Sequence, residues 1–289
     1  MTDRTDLAAA HATYVDAHLH LWDPERFRYD WLAAVPQISH RHLPQDFDVD
    51  AAPFPPGKWV FVECGAPPAD EVRWVEALAA AEPRLVAIVA SARMNEGRAT
   101  AAAIEELRDH SLVRGVRHNF QDAADPRYCC TQTFIEGTRR LGKAGLVFDI
   151  CCRETQLPAV CELVQACPDT QFVLDHCGKP PIRERRLDPW RRSLRALAAM
   201  PNVVCKLSGL ATEADALTWR ISDLAPYVHH AIDVFGPRRL LYGGDWPVVR
   251  LAGGYARWRE AAFGFVAALT DSERAEVLGG TATRIYRLH

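Results

Sequence analysis

The sequence predicts an α/β protein folded as a single (β/α)8 barrel. Eight short apolar, β-branched runs recur along the chain. Helical patterns rich in Ala, Leu, Glu and Arg separate most of them. The connections leaving the runs are often long, while those returning to the next run are short. Regular strand–helix alternation implies a parallel sheet with right-handed crossovers, and eight such units close on themselves as a TIM barrel.

The strand-like runs are Tyr14–His20, Trp59–Glu63, Leu85–Ala90, Val113–His118, Leu146–Cys151, Phe172–His176, Val203–Ser208 and Leu240–Asp245. Each is bounded by turn-forming residues, as strands are. The helical stretches are Ala69–Ala81, Arg98–His110, Thr131–Lys143, Gln156–Cys167, Arg186–Ala199, Ser222–Phe235, Ala256–Leu269 and Asp271–Leu278. The first interval, Trp22 to Gly57, reads mostly as irregular chain. A doubly wound open sheet is the architectural alternative, but no G-x-G-x-x-G follows the first run. In a barrel the strand C-termini carry the site, and long loops there form its rim.

A chain of 289 residues suits one such domain, and no linker or repeat divides it. The expected layout is a flexible N-terminus over residues 1–12 and a barrel over 13–289. A net charge of −3 argues against nucleic acid or an anionic membrane as partner. No apolar run reaches the roughly 20 residues a membrane helix needs. Met1 to Ala12 lacks the layout of a signal peptide, so a cytoplasmic location is expected. A homo-oligomer is compatible with this composition. The nine cysteines lack any C-x-x-C and read as reduced thiols packed as small hydrophobes. Cys64, Cys151 and Cys177 lie just past strand ends, where a ligand could touch one.

Four residues converge on the predicted barrel mouth. In V-D-A-H-L-H, His18 and His20 are two apart and project together at the end of the first strand. Two imidazoles there can bind a divalent metal or an oxyanion. His176, in F-V-L-D-H-C-G-K-P, closes the sixth strand and suits a proton carrier. Asp245, in L-L-Y-G-G-D-W-P, ends the eighth strand, which neighbours the first in a closed barrel. A buried carboxylate there needs a partner, and the histidine pair supplies one.

Further strand-end residues are candidate substrate contacts. Glu63 ends the second strand. Arg117 and His118 end the fourth; adjacent strand residues face opposite ways, so one of the two points inward and phasing leaves open which. An arginine there suits a carboxylate or polyol oxygen. Ser208 follows the seventh strand and Lys179 lies in the loop after the sixth. Trp22, Trp31 and Trp246 lie on mouth loops, where an aromatic face could stack on a sugar ring.

The H-L-H with its following L-W-D-P, the G-V-R-H, the L-D-H-x-G-K-P, the C-K-L-S-G and the G-x-D-W-P resemble the amidohydrolase superfamily. More narrowly they resemble its sugar-acid lactonases, with the resemblance running from about Tyr14 to the C-terminal R-I-Y-R-L. It implies a hydrolase of carbohydrate metabolism that opens an aldonolactone. Asp245 would activate water, with His18, His20 and His176 as the other catalytic groups. Metal-dependent relatives also use a Lys or Glu on strand four and a His on strand five. Here strand five ends D-I-C-C-R and strand four offers Arg117–His118. The resemblance therefore implies either no required cofactor or one weakly bound divalent metal, zinc for instance, on His18, His20 and Asp245. An aldonolactone is an activated ester, so less transition-state stabilisation is needed than for an amide. The competing expectations are a metal-dependent decarboxylase of the same superfamily and a non-catalytic barrel that binds a small acid.

Overall fold

The computed structural model describes residues 14–289. The expected flexible segment 1–12 lies outside the described residues. Eight parallel strands pair in sequence order: β1 Val15–Leu19, β2 Lys58–Val62, β3 Leu85–Ser91, β4 Val113–Asn119, β5 Val147–Cys151, β6 Phe172–Leu174, β7 Val203–Leu207 and β8 Leu240–Tyr242. The ring closes where the segment after β8 meets β1. The His20 amide donates to the Trp246 carbonyl at 2.7 Å, and the Asp245 amide donates to the His18 carbonyl at 2.8 Å. This is the predicted (β/α)8 barrel.

Helices occupy every interval, including the one read from the sequence as irregular. Pro44–Ala51 forms α1 there. Proline at the first helical position has its φ already set and no amide to leave unpaired. The acceptor for the Leu43 amide is the Asp46 carboxylate, at 2.9 Å. Short apolar periodicity explains why the sequence hid this helix: only Phe47 and Ala51 are buried in it. The remaining crossovers are α2 Pro68–Ala79, α3 Arg98–Arg108, α4 Gln132–Lys143, α5 Leu157–Ala166, α6 Trp190–Ala198, α7 Leu210–Glu213, α8 Ile221–Phe235, α9 Tyr255–Val266, α10 Asp271–Ala275 and α11 Thr281–Tyr286.

Two apolar layers follow from strand alternation. Trp59, Phe61, Ile88, Phe148 and Leu174 face outward and pack beneath the helices. Val60, Ala87, Val147, Val173, Val204 and Leu241 face inward and fill the lower barrel. The C-terminal segment closes the bottom, with Ala282, Tyr286 and Leu288 joining that inner layer. The apolar filling therefore stops partway up, and the inward positions above it are polar.

Strands β6 and β8 are shorter than the sequence suggests. The paired strands end at Leu174 and Tyr242, so His176 and Asp245 lie on the loops just past them. Both have left-handed backbones, with φ of 54° and 55°. Such conformations are uncommon without glycine and are held only where the surroundings dictate them. Nine free cysteines and no disulfide are present, as expected. No described helix is long and apolar enough to cross a membrane.

Candidate active site

A cavity of about 400 Å³ opens at the C-terminal mouth of the barrel, with His20, Glu63, Arg117, His176, Lys179 and Asp245 in its wall. His18 lies directly beneath, fully buried. The Nε2 atoms of His18 and His20 face each other at 3.1 Å. Asp245 Oδ1 lies 3.5 Å from His20 Nε2 and 3.7 Å from His18 Nε2. His176 packs its ring 4.5 Å from that of His18. The four residues predicted to meet therefore do meet.

Partners behind each imidazole set its orientation. His20 Nδ1 lies 2.8 Å from the Val62 carbonyl, which can only accept. His176 Nδ1 lies 2.9 Å from Ser208 Oγ. Ser208 thus holds a histidine instead of lining the cavity. Gly209, next to it, has φ of 62°, and a Cβ there would come within 2.4 Å of His176 Nδ1.

Charge around Asp245 favours its ionised form. Burial opposes ionisation of Asp245, but His176, His20 and His18 around it hold its carboxyl below the ordinary carboxylate range. Burial lowers the His176 pKa to about 4, against the pull of Asp245 and Asp175, so its ring is neutral at neutral pH. Among the described residues, the ion-pair partners of Asp245 within 4.0 Å are His18 and His20.

Arg117 resolves the pair left open on β4. Gly115 and Arg117 share the inward face, and Arg117 pairs in register with Asp149 on β5. Its Nε donates to Glu63 Oε1 at 2.6 Å and one Nη donates to the Glu63 carbonyl at 2.6 Å. His118 points the other way, contrary to its candidacy as a substrate contact. It accepts from the Met94 amide at 3.1 Å and stacks on Phe134 in the helix layer.

The tryptophans also differ from expectation. Trp22 is buried, with its indole donating to the Ile38 and His40 carbonyls. Trp246 is buried too, donating to Asp50 at 2.7 Å. Both pack loops together and neither lines the cavity. Trp31 does line it, tethered by a 2.8 Å bond to the Cys64 carbonyl. Cys64 and Cys151 reach the cavity wall, whereas Cys177 turns to the Lys206 carbonyl. Lys179 contacts Gln121 and lies 3.8 Å from Glu213.

Sequence reasoning missed the layer below the site. Lys206 Nζ is fully buried, 2.5 Å from Asp149 Oδ2, 2.9 Å from Asp175 Oδ1 and 3.1 Å from His18 Nδ1. Tyr286 donates to Asp149 at 2.7 Å. The available signal was a lysine inside the β-branched run V-V-C-K-L. A charge inside a barrel strand needs opposite charges across the lumen.

A single tetrahedral ion would fit the upper set. Metal bonds of about 2.0–2.1 Å place tetrahedral donors about 3.3 Å apart. The three spacings among His18 Nε2, His20 Nε2 and Asp245 Oδ1 are 3.1, 3.7 and 3.5 Å. His18, His176 and Asp245 also bring donors within 4.8 Å of one another.

The barrel thus brings the histidine pair at the end of β1 beside the aspartate after β8. The chain belongs to the amidohydrolase family, whose profile matches residues 15–288. It is 35% identical to an L-fucono-1,5-lactonase of Burkholderia multivorans, covering 96% of this chain and 97% of that one. An L-fucono-1,5-lactonase of Burkholderia ambifaria is 32% identical, over 95% of each chain. A crystal structure of a Burkholderia multivorans amidohydrolase with bound zinc superposes with a TM-score of 0.87 at 35% identity, covering 96% of this chain and all of that one.

Proposed function

We propose that this amidohydrolase is a lactonase that opens the ring of a sugar-acid lactone, with Asp245 as the base that activates water. It is a hydrolase of carboxylic esters. The observation that carries the mechanism is the Asp245 carboxylate, which lines the cavity with its Oδ1 3.5 Å from His20 Nε2 and 3.7 Å from His18 Nε2. The similarity to two fuconolactonases supports the substrate class.

The lactone carbonyl lies over Asp245 with the water between them. Asp245 takes one proton as the water oxygen bonds to the carbonyl carbon. The His176 N–H stabilises the oxyanion, an interaction that strengthens as charge develops. The ring C–O bond then breaks, and the proton taken by Asp245 passes through a histidine to the departing oxygen, which returns both residues to their starting states. The product is a hydroxy acid, which releases a proton near neutral pH. Glu63, Arg117 and Lys179 present donors and acceptors suited to the hydroxyls of a polyol ring. A divalent ion held by His18, His20 and Asp245 would polarise the carbonyl when bound. The zinc in the Burkholderia structure supports that option.

The test is a pH-indicator screen of aldonolactones, including fucono-, rhamnono-, galactono- and xylonolactones, run with and without chelator. Acid release from at least one 1,5-lactone is expected. No release from any member of the panel, at protein concentrations that bind the lactones, would favour the non-catalytic barrel.

A further inference from the structure

The facing Nε2 atoms of His18 and His20, at 3.1 Å, require something between them. Two nitrogen lone pairs repel at that distance, so either a proton or a cation must bridge them. His20 cannot supply the proton in its neutral form. Its Nδ1 faces the Val62 carbonyl at 2.8 Å and so must carry the ring proton, leaving Nε2 as an acceptor. The bridging proton in the metal-free protein therefore belongs to His18 Nε2. His18 Nδ1 must then be an acceptor, and Lys206 Nζ stands 3.1 Å from it.

We propose that Lys206 is a positioning residue that selects the tautomer of His18. Its donation to Nδ1 holds the ring proton on Nε2 and so opposes capture of a metal ion there. The result is a directional chain from Lys206 to His18 Nδ1, from His18 Nε2 to His20 Nε2, and from His20 Nδ1 to the Val62 carbonyl.

Asp175 holds the opposite option. Its Oδ1 lies 2.9 Å from Lys206 Nζ and 3.4 Å from His18 Nδ1. A proton on Nδ1 would give that oxygen a second donor beside Lys206. For a metal to bind, the Nε2 proton must leave and one must be taken up at Nδ1, so His18 stays neutral. Lys206 would then face a donor with a donor and would have to turn away. Asp149 and Tyr286 resist that movement: Asp149 Oδ2 lies 2.5 Å from Nζ and accepts from Tyr286 at 2.7 Å. Partners behind a ligating histidine commonly change metal affinity 10- to 100-fold, and here the partner acts against the metal.

Net charge is a separate influence and needs separating. Lys206, Asp149 and Asp175 together carry one negative charge. Lys206→Met alone would deepen it and attract any cation. The double variant Lys206→Met/Asp149→Asn keeps the net charge and removes the donor.

Two measurements test the proposal, neither of which reads turnover or depends on the substrate. In zinc-free wild-type protein, long-range proton–nitrogen correlation spectra should show His18 protonated at Nε2, the signal assigned by its loss in His18→Gln. Protonation at Nδ1 instead would overturn the proposal, whatever the variants do. Zinc titration of the double variant, by competition with a chromogenic chelator, should show about 10- to 100-fold tighter binding than wild type. Equal or weaker binding by a folded double variant would overturn the claim that Lys206 opposes the metal.

Discussion

Asp16 accepts a 2.8 Å hydrogen bond from the Gly244 amide, fastening β1 to the segment that carries Asp245. The same carboxylate accepts from the His18 amide at 3.0 Å and from the Tyr255 hydroxyl at 2.8 Å. One side chain thus locks the two ends of the barrel, two positions before His18. Asp16→Ala leaves the buried Gly244 and His18 amides unpaired and the Tyr255 hydroxyl with Tyr14 alone, at about 1–3 kcal/mol for each unpaired donor. Chemical denaturation should show a loss of about 3 kcal/mol or more. Gly244→Ala should be at least as severe, since its Cβ would lie 2.2 Å from Tyr255 Cε2.

Asp245→Asn should keep the fold and lose the base. Removing a general base typically costs about 10²–10⁴ in rate. We expect kcat to fall within that range on every lactone the wild type opens, with an unchanged circular dichroism spectrum. A variant retaining near-normal turnover would remove Asp245 from the mechanism.

Gly209→Ala separates positioning from stability. The new methyl would enter the space of the His176 ring, 2.4 Å from Nδ1, at a backbone φ of 62°. The ring must shift away from Ser208. Steady-state kinetics should show kcat falling at least about 10-fold, as small misplacements at a reacting centre do.

Arg117→Met should destabilise the protein by about 3–5 kcal/mol, the usual result of stranding one member of a buried ion pair. Glu63 would be left facing a methyl group where it now receives a 2.6 Å bond. Adding Glu63→Gln should recover part of the loss in urea melts. A purely additive double variant would show that the two side chains act independently.

Glu71 predicts how stability changes with pH. Burial, with Glu63 nearby, raises its pKa from 4.5 to about 8. Between those values the folded state holds a proton that the unfolded chain has released, so stability falls as pH rises through this window. Glu71→Gln keeps an acceptor for the Cys64 amide, now bonded at 3.0 Å. Melting curves from pH 4 to pH 9 should coincide at the acid end. The variant should become the more stable protein by several kcal/mol at pH 9.

Much of this molecule was legible in the sequence because the signals are local. Apolar runs with period two and helical runs between them reveal eight units without knowledge of their contacts. His18, His20, His176 and Asp245 stand at the ends of such runs, and strand ends share one face of a barrel by topology alone. The missed helix at Pro44–Ala51 shows the limit of that reasoning, since two buried residues make too weak a pattern.

Tertiary structure decided what depends on register and on loops folding back. Whether Arg117 or His118 faces inward turns on the pairing of β4 with β5, and a slip of one residue would exchange them. Trp31, and neither Trp22 nor Trp246, reaches the cavity because hydrogen bonds in the long first loop turn the other two away. The buried set beneath the site joins Lys206 to His18 across 188 residues, and Tyr286 to Asp149 across 137. No periodicity encodes such contacts. They exist because barrel closure buries inward-facing charges in the lumen, where each must find its partner on another strand.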